Sequence, residues 1–512
     1  MFRMSFFTYL AVIASIYVVV TLLRKWRRAW AYRGLAHLPG PPREKWSKGH
    51  IPNLYNPNTA FAFHDSLSKY GPVAKIYGIF GNLRLYINDP YAMGEVLLKE
   101  ENGWERTESY TANLNMVLGP GLLATRGAKH KAQRKFSIHP LSAQVSILVE
   151  AHTELTRIEM FFSAYSAAYA SRSISQAGIE REIKEQGTNA ISVDIFGWAH
   201  RSALDAIGLG SMGHDFQTLS GVESDYSKAI KHLLFVYHII AHTPYTHAPS
   251  EHGPIMPTLY KIGPAWFRRA IITRVPSKAI KQLLSIVDIQ YEQALRIFSQ
   301  RRAALTDSKH GHHNLSSAQK DVVTLILQAN GKADPRDRIS EEEMLGQLNT
   351  LIFAGHDTTS GALACIFQML AEHPEIQSKL REELLRCSDE DPDYVTLKSF
   401  PLLDAVIRET LRLHPPVTIV ERVSSRDTVL PLRAPMGVDA EGRPCTALAV
   451  PAGTLVMVGL RAANRDPATW GPDAHEWNPR RWLEPLPAGV ADARIPGIYS
   501  NMYVAITCEP IL

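Results

Sequence analysis

The strongest constraint in this chain is a long apolar-periodic segment, Ser340 to His373, interrupted at its centre by Ala354-Gly355-His356-Asp357-Thr358-Thr359. Ser340 followed by Glu343 has capping-box spacing and predicts a helix start. Leu345, Leu348, Leu351 and Ile352 recur at helical spacing, and His373-Pro374 supplies a stop. A helix of about 30 residues is longer than most and is expected to cross the whole core of its domain. An acid, two hydroxyls and a histidine at its middle need partners, because burying them unpaired is costly. Two readings follow: a functional site, or a kink where Thr358 or Thr359 bonds back to the helix backbone.

A second helix is predicted over Pro401–Leu413, with proline in its first turn and His414-Pro415-Pro416 ending it. Leu402, Val406 and Leu413 form one stripe, with Glu409 beside them. Asp404 and Arg408 lie opposite and read as a solvated i,i+4 pair, worth roughly 0.2–0.5 kcal/mol. A carboxylate against an apolar stripe is rarely buried without a partner, and Arg412 is the nearest cation. It is either a buried pair or an exposed one. Farther on come Trp470-Gly471-Pro472-Asp473-Ala474 and Asn478-Pro479-Arg480-Arg481-Trp482.

Taken in order, the polar hexad, the Glu409…Arg412 helix and the Pro-x-Arg-Trp segment resemble the haem-thiolate monooxygenases of the cytochrome P-450 superfamily, specifically microsomal, fungal-like members. The resemblance extends from about residue 38 to 502 and includes Leu38-Pro39-Gly40-Pro41-Pro42, Tyr70-Gly71-Pro72-Val73-Ala74-Lys75-Ile76 and His130-x-x-x-Arg134. It implies a mainly α fold with a small β region, the cytochrome P-450 fold, preceded here by one transmembrane helix.

The resemblance assigns Thr358 to stabilising dioxygen and guiding its protonation, with Asp357 relaying protons from solvent. A hydroxyl can accept and donate, and an adjacent acid can refill it. Glu409, Arg412 and Arg481 match the family's structural ion-pair network; Arg480 stands where relatives often carry an acid. His130, Arg134 and Arg422 match contacts to the propionates of haem b (iron protoporphyrin IX), for which arginine forks are suited; many relatives have tryptophan in place of His130. Phe353, Ala354, Val417 and Ile419 are the implied lining of a pocket for an apolar small molecule, although core packing would account for them equally. Lys129, Lys131 and Lys135 could receive an acidic, NADPH-dependent reductase, or form an ordinary basic surface helix.

The family's iron-ligating cysteine lies in a Phe-x-x-Gly-x-Arg-x-Cys-x-Gly loop. The likeness here ends at Met502, and Tyr503-Val504-Ala505-Ile506-Thr507-Cys508-Glu509-Pro510 lacks that pattern. No thiolate ligand is identifiable, so no metal ligand is assigned, and the domain is read as lacking its C-terminal portion. Three functions stay open: an active monooxygenase, a truncated and catalytically silent member of the fold, or a membrane-tethered binding protein without redox chemistry.

Phe6 to Leu23 is a nearly uncharged apolar run, close to the roughly 20 residues that span a bilayer. Arg24, Lys25, Arg27 and Arg28 follow and favour a cytosolic catalytic side; a cleaved signal peptide would put its basic end first. The expected organisation is an anchor over 1–23, a basic and proline-rich hinge over 24–42, and the monooxygenase domain over 43–512, on the endoplasmic reticulum membrane in contact with its lipid. A formal charge of +5 on 55 basic and 50 acidic residues is too mild to imply nucleic-acid binding. Cys365, Cys387, Cys445 and Cys508 make neither a zinc pattern nor a disulfide framework.

Strands are predicted at Val73–Tyr77, Leu83–Ile87, Ala447–Val450 and Thr454–Val458, and helices at 279–304, 320–330, 341–371, 375–387 and 401–413. Thr306–Ser317, with His310, His312 and His313, reads as a polar loop, and Asn314-Leu315-Ser316 as a sequon that the expected topology keeps unmodified.

Overall fold

Gly78 and Gly81 bracket a turn that folds strand β1 (Val73–Tyr77) back on β2 (Leu83–Ile87), with Val73 opposite Ile87 and Tyr77 opposite Leu83. Both strands match the sequence expectation. In this computed structural model, residues 32–56, 58–99, 103–134, 192–221, 224–242, 263–310, 321–336, 338–387, 392, 394–433, 435–436 and 443–493 are described. The apolar run 6–23, Lys135, the His312–Ser316 stretch and Cys508 lie outside them. Among the described residues no helix is long and apolar enough to cross a membrane.

The described residues form two compact units, one drawn from the stretches up to 104 and 421–459, the other from 105–420 and the stretch from 460 on. In the first, the sheet runs β1-β2-β7-β4-β3, where β3 is Trp104–Glu105, β4 is Ile419–Ser424 and β7 is Leu455–Gly459. β2 and β7 pair in parallel and are buried along their whole length, as central strands covered on both faces are. β7 starts one residue later than expected because Thr454 closes the preceding turn, its hydroxyl donating to the Pro451 carbonyl at 2.6 Å. β5 (Thr428–Pro431) and β6 (Ala447–Val450) form a separate antiparallel pair. Asp89 caps helix α1 (Pro90–Leu98) by accepting from the Tyr91 and Ala92 amides, and its other oxygen accepts from the Arg433 amide at 2.9 Å. The Leu38–Pro42 segment lies along β1: Leu38 is buried and the Pro39 carbonyl accepts from the Lys75 amide.

The second unit is helical. Its main elements are α2 (Glu108–Leu118), α3 (Ile195–Ile207), α4 (Asp225–His242), α5 (Lys278–His310), α6 (Val322–Lys332), α7 (Glu341–Glu372), α8 (Pro374–Leu385) and α9 (Pro401–Leu413). Leu345, Leu348 and Ile352 of α7 enter a core with Leu204 of α3, Ile297 and Phe298 of α5 and Val323 of α6. α5 corrects one expectation: Thr306 to His310 are helical, not loop. The Thr306 hydroxyl bonds the Arg302 carbonyl at 3.0 Å, which lets a polar residue stay in the helix.

Candidate active site

α7 starts as its sequence predicts. The Ser340 hydroxyl accepts from the Glu343 amide and the Glu343 carboxylate accepts from the Ser340 amide, closing the capping box. Glu343 also pairs with Lys129 at 2.8 Å. Burial pulls its carboxyl up, but the bonds from Lys129 and Ser340 outweigh this and hold it below its ordinary value. Gln133 links the Glu343 carboxylate, the Pro120 carbonyl and Gln347. Lys129, expected to face a reductase, is thus already engaged within the fold.

The polar hexad does not interrupt the helix, which is continuous from Glu341 to Glu372. The Thr358 hydroxyl donates to the Ala354 carbonyl at 2.6 Å, and that of Ser360 to the Asp357 carbonyl at 3.0 Å. Back-bonding by Thr358 therefore occurs within a continuous helix. Leu351, Ala354, Thr358, Gly361, Ala362 and Cys365 share one side of the helix at about 100° per residue, and all six are half-buried. A Cβ added to Gly361 would meet nothing within 4 Å, so this side is open just beyond Thr358. Asp357 is also half-buried, and burial pushes its carboxyl up to about 6. An acid that titrates near neutrality stands next to a hydroxyl on an open helix face.

Phe353 packs on the cluster of Leu114, Val117, Leu118 and Leu123. Val417 and Ile419 are half-buried on the run from Pro415 into β4. His130 is buried and Arg134 half-buried on the helical stretch 127–134 of the second unit. Arg422 is buried in the first unit, where its guanidinium donates to the Glu421 carbonyl at 2.9 Å.

The ion-pair residues come together. Arg412 forks onto both Glu409 oxygens at 2.9 and 2.8 Å and donates to the carbonyls of Asn464, Ala474 and Glu476. Glu409 accepts in addition from the Asn478 amide and the Trp482 indole, each at 3.0 Å. Arg481 reaches Glu409 only at 3.5 Å; its closer partner is Asp473, held bidentately at 2.9 and 2.7 Å. The Arg481 bond in turn keeps the Asp473 carboxyl below its ordinary value. The sequence carries no sign of roles for Asp473 and Trp482, because these arise only when the 470–482 segment folds against α9.

Two residues were missed outright: His200 of α3, and the use made of His356. Both rings are buried against each other. The available sequence signal was a histidine on the apolar stripe of Leu204 and Ile207.

A haem needs an open apolar slot, polar groups on its oxygen side and an axial ligand. The α7 side supplies the polar groups, Thr358 and Asp357, next to the open space at Gly361. Cys365 also lies on that side, where burial raises its thiol. The residues present fit the polar side of such a site.

The cytochrome P450 family profile matches residues 39–489. Cytochrome P450 monooxygenase 91 of Postia placenta is 38% identical over 484 residues, covering 93% of this chain and 83% of the relative. Cytochrome P450 monooxygenase 81 of the same fungus is 35% identical, covering 97% and 85%. Ganoderic acid synthetase CYP5150L8 of Ganoderma lucidum is 32% identical, covering 91% and 82%. The chain belongs to the cytochrome P-450 family, the haem-dependent monooxygenases.

Proposed function

We propose that this protein is a membrane-anchored monooxygenase that hydroxylates an apolar small molecule, using dioxygen and electrons passed from NADPH by a reductase. The observation that carries this reading is the Asp357–Thr358 pair beside the open face of α7. When bound, haem b supplies the iron at which dioxygen is activated. Thr358 is held by its bond to Ala354 in reach of that side, and its hydroxyl can exchange the carbonyl for an oxygen acceptor. Asp357, part protonated near neutral pH, can pass a proton and be recharged from solvent. Ala354 and Gly361 keep the face small enough for dioxygen and substrate. His130, Arg134 and Arg422 are proposed to hold the propionates, and Val417 and Ile419 to line the substrate side with Phe353.

Residues 1–23 are proposed as the anchor in the endoplasmic reticulum membrane, 24–42 as the hinge and 43–512 as the cytosolic catalytic domain. A relative named for making an organic acid supports a small-molecule substrate. A second reading, a pocket that binds without redox chemistry, is favoured by the sequence around Cys508, which lacks the Phe-x-x-Gly-x-Arg-x-Cys-x-Gly pattern.

The test is turnover of candidate apolar molecules by the full chain with reductase and NADPH under isotopically labelled dioxygen. One labelled oxygen atom per product is expected, with Thr358→Ala diverting electrons to peroxide. Bound substrate with no labelled product selects the second reading.

A further inference from the structure

Gln133 stands next to Arg134 on the helical stretch 127–134, is 1% exposed, and has every polar site taken. Its Nε2 donates to the Pro120 carbonyl at 2.9 Å and to the Glu343 carboxylate at 3.2 Å. Its Oε1 accepts from the Thr125 hydroxyl and from Gln347 Nε2, each at 3.0 Å. Two donors and two acceptors are the full capacity of a carboxamide. Gln347, equally buried on α7, accepts in turn from the Leu122 amide at 3.3 Å.

Only one orientation of the two amides fits. The Pro120 carbonyl can only accept and the Leu122 N–H can only donate, so exchanging the ends of either amide sets like against like. A carboxylate in place of Gln133 would face two acceptors, and an apolar side chain would leave the buried groups around it unpaired. Three pieces of chain therefore meet at one side chain: the 127–134 stretch, the 119–126 segment and α7. The 119–126 segment already lies backbone to backbone on α7, where a Cβ on Gly346 would meet the Gly121 nitrogen at 2.6 Å. The 127–134 stretch is tied to α7 through side chains. One tie is Lys129 to Glu343, where the lysine is more than half exposed and the pair is screened by solvent. The other is the buried Gln133.

His130 and Arg134 are one helical turn apart and share a face. Gln133 lies about 60° round the helix from His130 and about 100° from Arg134. Anchoring its side chain fixes the rotation of the stretch about its own axis, and with it the aim of both residues. A fully bonded buried network of this kind is rigid.

We propose that Gln133 is the positioning residue of the haem site: bonded at once to α7, Pro120 and Thr125, it sets the angle at which His130 and Arg134 meet the propionates. With no polar site left over, it has nothing to give the cofactor itself. The positioning role rests on the reading of His130 and Arg134 as propionate contacts; the lock that Gln133 makes with Gln347 stands on its bonds alone.

The test uses the full chain with haem and reads two quantities, the rate of haem transfer to excess apomyoglobin and amide hydrogen exchange over residues 119–134. Gln133→Met keeps the length and loses all the bonds. Transfer should become about 10–100-fold faster, the usual cost of removing a group that orients a ligand, and exchange should rise. Gln133→Glu sets a carboxylate against Glu343 and the Pro120 carbonyl and should be worse. Adding Glu343→Gln, which keeps the capping box, supplies a donor and should recover part of the loss. Trp477→Phe removes a bond to the Thr410 hydroxyl elsewhere in the same unit and should leave transfer unchanged. Transfer that merely follows unfolding stability, in Trp477→Phe as in Gln133→Met, overturns the proposal. So does faster exchange with unchanged transfer, or a swap that rescues nothing.

Should the Gln133 variants fail to fold, the side-chain amide protons of wild-type Gln133 decide. Slow exchange of both is expected; exchange at the rate of a free amide overturns the lock. Arg134→Met separates the two readings. Unchanged transfer in Arg134→Met contradicts the propionate contacts, whereas faster transfer there and none in Gln133→Met contradicts the positioning. A chain that retains no haem counts against the proposed function, and exchange then decides the lock.

Discussion

Glu409 and Arg412 have no exposed side-chain surface and share two hydrogen bonds, at 2.9 and 2.8 Å. Every polar edge of this pair is also used, by the Asn478 amide and Trp482 indole on one side and by three backbone carbonyls on the other. The pair therefore staples α9 to the 464–482 segment. Replacing Arg412 with methionine strands a buried carboxylate and should cost about 3–5 kcal/mol in urea unfolding. Removing Glu409 and Arg412 together should cost less than the sum of the single changes. Additive losses would contradict the pairing.

Gly346→Ala sets two effects against each other. Alanine gains about 0.8–1 kcal/mol over glycine in a helix interior. A Cβ at Gly346, however, meets the Gly121 backbone nitrogen at 2.6 Å, and backbone cannot swing aside. Overpacking of this kind costs about 1–3 kcal/mol, so a net loss of stability is expected from unfolding midpoints, together with weaker Gln133–Gln347 coupling. A stabilised variant would contradict the close approach.

Asp357 is raised by burial to about 6, above its unfolded value. Its protonation then favours the folded state below about pH 3.8, and that contribution is lost as pH rises through 6. Asp357→Asn should consequently stabilise the protein at pH 8 by up to about 3 kcal/mol, with the gain shrinking toward pH 5. Proton delivery should be slowed in the same variant. A pH-independent stability difference would contradict the burial of this acid.

His200 titrates the other way. Its folded value, about 4, lies below the unfolded 6.5, so the unfolded chain binds more protons between them. Stability is lost as pH falls from 6.5 toward 4, by roughly 2 kcal/mol at pH 5 from this group. His200→Phe should flatten that part of the stability–pH curve. An unchanged curve would place the ring in water.

Where local chemistry decides, the sequence was legible. α9 begins and ends as expected because Pro401 and His414-Pro415 mark it, and β1 and β2 match because their glycine turn is local. The parallel pairing of β2 with β7 joins residues more than 360 apart and leaves no local mark. Asp473 as the closer partner of Arg481, and His200 as the partner of His356, are likewise products of tertiary packing. In the sequence the hexad reads as either functional or back-bonded; the Thr358–Ala354 bond and the open space at Gly361 occur together.

The central claim is that the open face of α7 serves haem-dependent oxygen chemistry. The most direct measurement is the spectrum of the purified full chain with haem, reduced and exposed to carbon monoxide. The account predicts haem retained by the folded chain and a Soret band that moves on carbon monoxide binding, to the long-wavelength position where a cysteine ligates the iron. A chain that is folded by circular dichroism yet retains no haem would contradict it.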